Sequence, residues 1–394
     1  MSPLTLLFIL AFLVSVDVRI LAPVLPSISH SLGSSPGTVG LAMTTYSLAY
    51  GAGQLFYGPL SDRLGRIAVV RAAGVGFSIC TILSALCVTT WQFILVRLLA
   101  GALAGAVIPL TLVFIGDTVE YERRQVVLGR FAVLTSTALA FSASIGGTIS
   151  HFVSWRLMLF GYGVLALIPL GLLWRLDLKG AGVVEECADR FGDLLRNRYA
   201  LFVYVGVFLE GFLCWGGMTY LGAFAADRYH LDQFTVGMLI ALFGIGMMAG
   251  GLLMDRLRRL FSENTLAVAG GILMGGSLLV LILRWPSPVF AAGMFTFGLG
   301  YVCLHTTLQL RGTDISSTAR GKAFSLFAFS LFLGLSTGSA AFGWLVDAGS
   351  YDAMFVIAGA GLIGIGVATA FAPQHGTSRQ RMKTNDGSCT FNQP

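Results

Sequence analysis

Long apolar runs separated by short polar breaks fill most of this 394-residue chain. A run of roughly 20 apolar residues, wound as a helix, crosses about 30 Å of hydrocarbon. Twelve such runs are visible, at about 4–25, 38–60, 67–89, 92–115, 127–149, 156–175, 200–222, 235–257, 265–284, 288–310, 322–345 and 352–372. The pattern predicts an all-α integral membrane protein of twelve transmembrane helices. The joining breaks are short, except at 176–199, where Asp177, Lys179, Glu185, Glu186, Asp189, Arg190, Asp193, Arg196 and Arg198 predict a charged linker. That linker divides the chain into two six-helix bundles, 1–175 and 200–372, and a polar segment at 373–394 reads as a disordered tail. The first run lacks a basic flank and is too long for a cleaved leader.

Composition agrees with the pattern. Apolar residues make up 56% of the chain and charged residues 11%, with mean hydropathy +0.81, where a soluble domain carries about 25% charged residues. The cations are unevenly placed. With the N-terminus inside, Arg63, Arg66, Arg123, Arg124, Arg196, Arg198, Arg256, Arg258, Arg259, Arg320 and Lys322 all fall on inner loops, while outer edges hold Arg156, Arg228 and Arg284. This bias predicts both termini on the cytoplasmic side of an inner or plasma membrane. The net charge of +6 then reflects contact with the inner leaflet and excludes a nucleic-acid partner. Cys80, Cys87, Cys214 and Cys303 lie in spans, Cys187 in the linker and Cys389 in the tail, with no metal-ligand spacing.

Ionisable residues inside spans are the candidate chemistry, because a charge at the bilayer centre costs roughly 2.5–3.5 kcal/mol on insertion scales. They are Asp17, Arg19, Arg97, Glu210 and His305. A rise of about 1.5 Å per residue puts Asp17 roughly 12 Å and Arg97 roughly 8 Å below the outer face, a depth difference that side-chain reach can bridge. Asp17 and Arg19 point about 200° apart on one helix and cannot share a partner. The pair Asp17–Arg97 reads either as a proton site or as a structural brace. Glu210 has no basic neighbour in its own span. Polar stripes at Tyr46, Tyr50 and Gln54, and at Tyr301, His305 and Gln309, are candidate cavity walls, joined by Phe212 and Trp215 on the seventh span. No phosphate-binding loop, zinc spacing or nucleophile–base pattern appears, so the chain is expected not to be an enzyme or an ATP-driven pump and to need no cofactor.

One charged turn occurs twice. Gly58, Asp62, Arg63, Gly65 and Arg66 form the first copy; Gly251, Asp255 and Arg256 repeat part of it 193 residues later, with Arg258 where the first has Gly65. The first copy, Gly58-x-x-x-Asp62-Arg63-x-Gly65-x-Ile67, resembles the signature loop of the major facilitator superfamily. Further likenesses follow at Pro23-Val24-Leu25-Pro26, Arg97-x-x-x-Gly101-x-x-x-Gly105, Asp117 with Glu120, Arg123, Arg124 and Gly129, Ser154-Trp155-Arg156, and Arg320-Gly321. Together they are similar to the twelve-span drug:proton antiporter branch. One motif departs: where those antiporters carry Gly-Pro-x-x-Gly-Gly, this chain has Ser142-Ala143-Ser144-Ile145-Gly146-Gly147, so the element tied to export is incomplete. The resemblance implies a monomeric secondary transporter whose partners are a small molecule, a proton and the bilayer, exporting drugs or amphipathic compounds. Arg19 and Arg97 favour an alternative cargo: a metabolite, sugar derivative, siderophore or other organic anion. Asp62, Arg63, Asp255 and Arg256 read as switch charges that part when the inner side opens.

Overall fold

The computed structural model describes residues 2–176, 194, 196–283, 287–313, 315 and 320–371. The linker with Cys187, the tail with Cys389, Arg284 and the Asp62 side chain lie outside the described residues. Twelve spans are present: α1 (Pro3–Ser31), α2 (Pro36–Leu64), α3 (Arg66–Leu86), α4 (Thr90–Thr118), α5 (Tyr121–Phe152), α6 (Trp155–Trp174), α7 (Arg198–Tyr229), α8 (Gln233–Leu260), α9 (Glu263–Ile282), α10 (Ser287–Thr313), α11 (Arg320–Asp347) and α12 (Tyr351–Ala370). Eleven pass for membrane-crossing helices on length and hydropathy together. The exception, α2, is long enough but diluted by Thr44, Thr45, Tyr46, Ser47, Tyr50 and Gln54.

The polar breaks work as caps. Ser35 accepts the Thr38 amide with Pro36 at the first helical position, where a missing N–H costs nothing. Thr89 and Gln92 form a reciprocal capping box for α4. Ser154, Asn197, Asp232 and Ser262 cap α6, α7, α8 and α9 in the same manner. Gly65 ends α2 at φ 87°, a conformation that a Cβ disfavours. The second copy of the turn needs no such glycine, because α8 continues in helix through Arg258 to Leu260.

Two spans expected to be continuous are broken. α1 is helical over Pro3–Asp17, turns at 18–21, makes a 3-10 turn at Ala22–Val24 and resumes over Leu25–Ser31. Pro23 and Pro26 lie in this stretch, and neither supplies an amide donor. α7 is regular over Arg198–Glu210, widens to a π-helix over Gly211–Trp215 and restarts at Leu221 after a turn. α5, lacking the Gly-Pro, runs unbroken from Tyr121 to Phe152.

The two halves repeat one packing scheme. In the first, α2 packs on α4, α3 on α4, and α3 on α6; in the second, α8 packs on α10, α9 on α10, and α9 on α12. The halves join along two seams, α2 with α11 and α5 with α8. Gly146 and Gly147 explain why the end of the antiporter motif survives: a Cβ there would overlap the carbonyl oxygens of Ile20 and Gln233.

Cross-half contacts gather toward the end that carries the loops at 32–35 and 348–350. The Asp347 carboxylate accepts from Ser35 Oγ at 2.6 Å and from the Gly37 amide at 2.8 Å, placing an anion at the N-terminus of α2. Tyr220 donates to the Gly37 carbonyl at 3.5 Å, Ser336 to the Thr44 carbonyl at 2.9 Å, and Gln233 to Ser27. Hydrogen bonds to a charged group contribute about 1.5–3 kcal/mol each. Asp347→Ala should therefore loosen this end. Spin labels at Ser31 and Ala353 are expected to gain a longer-distance population in the variant, and an unchanged distribution would remove Asp347 from the closure.

Candidate functional site

The break in α1 sets up the first buried pair. Asp17 closes the helical segment and is fully buried, and Arg97 of α4 is 1% exposed. Arg97 Nη1 donates to Asp17 Oδ1 at 3.1 Å and Nη2 to Oδ2 at 2.9 Å, the fork geometry that guanidinium and carboxylate share. The glycines following Arg97 make this reach possible. A Cβ on Gly101 would overlap the Tyr46 carbonyl, and one on Gly105 would come within 2.6 Å of the Tyr50 carbonyl. α4 thus lies directly on the α2 backbone, and the Tyr46 ring covers the Arg97 guanidinium at 4.3 Å.

A second pair occupies the corresponding place in the other half. Glu210 follows Asp17 by 193 residues, the interval that also separates Gly251 from Gly58. It ends the regular part of α7, as Asp17 ends that of α1. Its partner comes from α10, the counterpart of α4. His305 Nδ1 lies 2.8 Å from Glu210 Oε2. Glu210 is fully buried and the His305 side chain is 16% exposed. Glu210 Oε1 has no hydrogen-bond partner. π-helical turns recur at functional positions, and the one following Glu210 runs straight into Trp215.

Between the pairs lies a cavity of about 210 Å³, walled by Arg19, Tyr50, Trp215 and Tyr301 together with Ile108, Leu139 and Phe332. The Arg19 guanidinium sits 3.0 Å over the Trp215 ring. Trp215 meets Tyr301 edge-on at 5.0 Å, and Tyr301 stacks on His305 at 4.8 Å. A continuous row of contacts therefore leads from Arg19 of the first half, through two aromatic rings, to the acid–imidazole pair of the second.

The remaining expected wall residues lie elsewhere. Tyr46 is 1% exposed and is held against Arg97, because the face of α2 that packs on α4 includes it. Gln54 is one turn along from Tyr50, within hydrogen-bonding reach of its hydroxyl. The Phe212 ring packs against Phe342 at 5.3 Å, since α7 lies on α11. Gln309 is half-buried one turn past His305. None of these four lines the cavity just described. In the signature loop, Arg66 pairs with Asp117, while Arg124 donates to the Gly116 carbonyl at 2.5 Å; the two loop motifs are thus tied within one half. Arg63, Asp255 and Arg256 are exposed.

Several residues escaped sequence reading. Asp347 lies just past the apolar run at 322–345, and no local pattern marks it. Arg311 is 7% exposed and donates to the Thr369 carbonyl at 2.9 Å and to Asn264 Oδ1 at 2.8 Å, bridging α10, α9 and α12. The Glu210–His305 contact joins residues 95 apart, and no local pattern announces it.

Comparisons with known proteins agree in kind. The family model of the Major Facilitator Superfamily matches residues 7–317. The MFS-type transporter YwfA of Bacillus subtilis is 28% identical over 355 residues, covering 86% of this chain and 84% of that protein. A chloramphenicol resistance protein of Pseudomonas aeruginosa is 26% identical, with 80% and 78% covered. A probable sugar efflux transporter of Helicobacter pylori is 24% identical, with 85% and 86% covered. In fold, the chain superposes on a bacterial homolog of the human lysosomal transporter Spinster in an inward-facing, unoccupied conformation, with TM-score 0.74 at 15% identity over 94% of this chain and 93% of that one. It also matches a D-xylose–proton symporter, with TM-score 0.72 at 16% identity over 93% and 95% of the two chains.

Proposed function

The chain belongs to the major facilitator superfamily, and from that premise we propose that it is a proton-coupled exporter of small amphipathic molecules working by alternating access. It is a multi-pass inner-membrane transporter of small molecules and not an enzyme. The coupling, the direction and the cargo class are the proposed parts.

The observation that carries the proposal is the hydrogen bond between Glu210 and His305. A buried polar group is stable when its charge is balanced. Glutamate with neutral imidazole has net charge −1, and one added proton makes the pair neutral, wherever on the pair it resides. Carboxylate and imidazole both carry exchangeable protons, so this pair is able to take up one proton and give it back during the cycle. The charged pair favours a state in which water reaches it, and the neutral pair tolerates enclosure. The Arg97 guanidinium keeps its charge and both Asp17 oxygens are bonded to it, which favours reading Asp17–Arg97 as a brace in the same place of the other half. Tyr301 stacks on His305 and forms part of the cavity wall, which makes cargo occupancy and protonation neighbours.

The halves rock about this centre along the α2–α11 and α5–α8 seams, as two-repeat transporters do. On the orientation expected from the cations, the closed end faces outward and the described state is inward-facing. The signature-loop charges Asp62, Arg63, Asp255 and Arg256 form their contacts in the opposite state. Export is supported by the relatives named for efflux and for chloramphenicol resistance. The driving force is the proton gradient, no cofactor takes part, and the monomer suffices.

The test is purified protein in liposomes holding a pH-sensitive dye, challenged with drugs, sugars and organic acids. A transported compound is expected to move protons in a fixed ratio to itself. Cargo flux without proton flux would overturn the coupling.

A further inference from the structure

Arg19 is a cation that the fold leaves without an anion. Asp17, two residues away, gives both oxygens to Arg97, and Glu210 bonds His305 through one oxygen. Among the described residues no carboxylate comes within ion-pairing distance of Arg19, and its buried Nε has no hydrogen-bond partner. The residue is partly exposed only because it borders the cavity. No acidic side chain lines that cavity. The wall of the chamber thus carries one cation, Arg19, and no anion.

A guanidinium left unpaired at membrane depth costs several kcal/mol. Trp215 offsets part of this cost through its ring face. Stacking satisfies the face of the guanidinium and leaves its N–H donors in the plane, pointing past the ring edge. Those donors match a planar carboxylate, which accepts two parallel hydrogen bonds. Most of the rest of the wall suits a nonpolar body, with Val18, Ile108, Leu139 and Phe332 among its apolar members, and Ser15, Thr135 and Ser136 adding hydroxyls. A volume of about 210 Å³ lies below the range of about 300–1,000 Å³ typical of drug-sized ligands.

We propose that Arg19, stacked on Trp215, is the anchor for the cargo's acidic group, and that the cargo is a small amphipathic organic anion carrying one carboxylate. The proposal rests on reading this cavity as a transporter's cargo site and narrows the cargo of that reading to anions. Arg19 extends from the break in α1 to a ring in α7. The anion is therefore held by both halves at once, as a cargo that reports occupancy to a rocking mechanism must be.

The experiment measures binding to the full-length protein in detergent micelles by the rise in melting temperature, which follows occupancy. The probes are benzoate, salicylate and hexanoate, each set against its neutral amide, with benzyltrimethylammonium as the cationic control. At least one carboxylate is expected to stabilise the wild type, its amide to be weaker by about tenfold or more in Kd, and the cation to have no effect; a lost charge-assisted pair is worth at least that factor. Arg19→Gln should erase the preference for the carboxylate over its amide, and Arg19→Lys should retain part of it. If no carboxylate outperforms its amide on the wild type, or if Arg19→Gln keeps the preference, the proposal is wrong. The wild-type series needs no variant, so it decides the matter even where Arg19→Gln fails to fold. No pH gradient is present, so anion binding that persists in a protein without proton-driven flux would sink the coupling and leave this site standing.

Discussion

Glu210→Gln should abolish acceleration of transport by a pH gradient while leaving exchange of cargo for cargo intact. Glutamine keeps the shape of the side chain and still hydrogen-bonds His305, but it carries no exchangeable charge. Exchange requires that the halves rock with cargo aboard and does not require net proton movement. Gradient-driven flux does require it, and a loss on the order of tenfold or more is expected, the factor that about 1.4 kcal/mol of coupling represents. His305→Gln should give the same split. The measurement compares counterflow with pH-driven flux in one set of liposomes. A Glu210→Gln protein accelerated by the gradient as much as wild type would remove the pair from the mechanism.

Arg97→Met should be the most destabilising single substitution at the centre of the first half. It leaves the Asp17 carboxylate fully buried with no cation, and breaking a buried pair on one side costs about 3–5 kcal/mol. Position adds to the cost. Asp17 is the last residue of its helical segment, where the helix presents its partially negative end. Removing both charges, as in Asp17→Leu/Arg97→Met, should recover most of the loss, because an apolar pair of similar volume replaces a desolvated ionic one. Unfolding in mixed micelles measures both variants. If the double variant still shows pH-driven flux, Asp17–Arg97 is a brace. If it is stable but uncoupled, the proton belongs to Asp17 instead.

The spans were legible because lipid demands apolar length, and the caps at Ser35, Thr89 and Ser154 sit where the polar breaks had placed helix starts. The break in α1 had a visible cause in Pro23 and Pro26. The break in α7 did not, since no proline falls between Arg198 and Tyr229, and Gly211, Gly216 and Gly217 resemble the many packing glycines elsewhere. Depth along a helix was also readable, so Asp17 and Arg97 were seen to lie at levels compatible with contact. Rotation about a helix was not. That is why Tyr46 was expected on the cavity wall and lies instead under Arg97, and why Glu210 had no evident partner. Helix azimuth is fixed by close backbone approaches, such as Gly101 and Gly105 on α2, which emerge only when two helices are docked.

Gly58 and Gly251 open the two copies of the charged turn, and each has empty space where a side chain would begin. In this state both positions tolerate a larger residue. If the inner ends close on one another in the opposite state, that space disappears. A tryptophan at either position then becomes a wedge, silent in one conformation and obstructive in the other. Such a wedge would hold the protein in the described state for purification or antibody selection, with the cavity and both buried pairs left untouched.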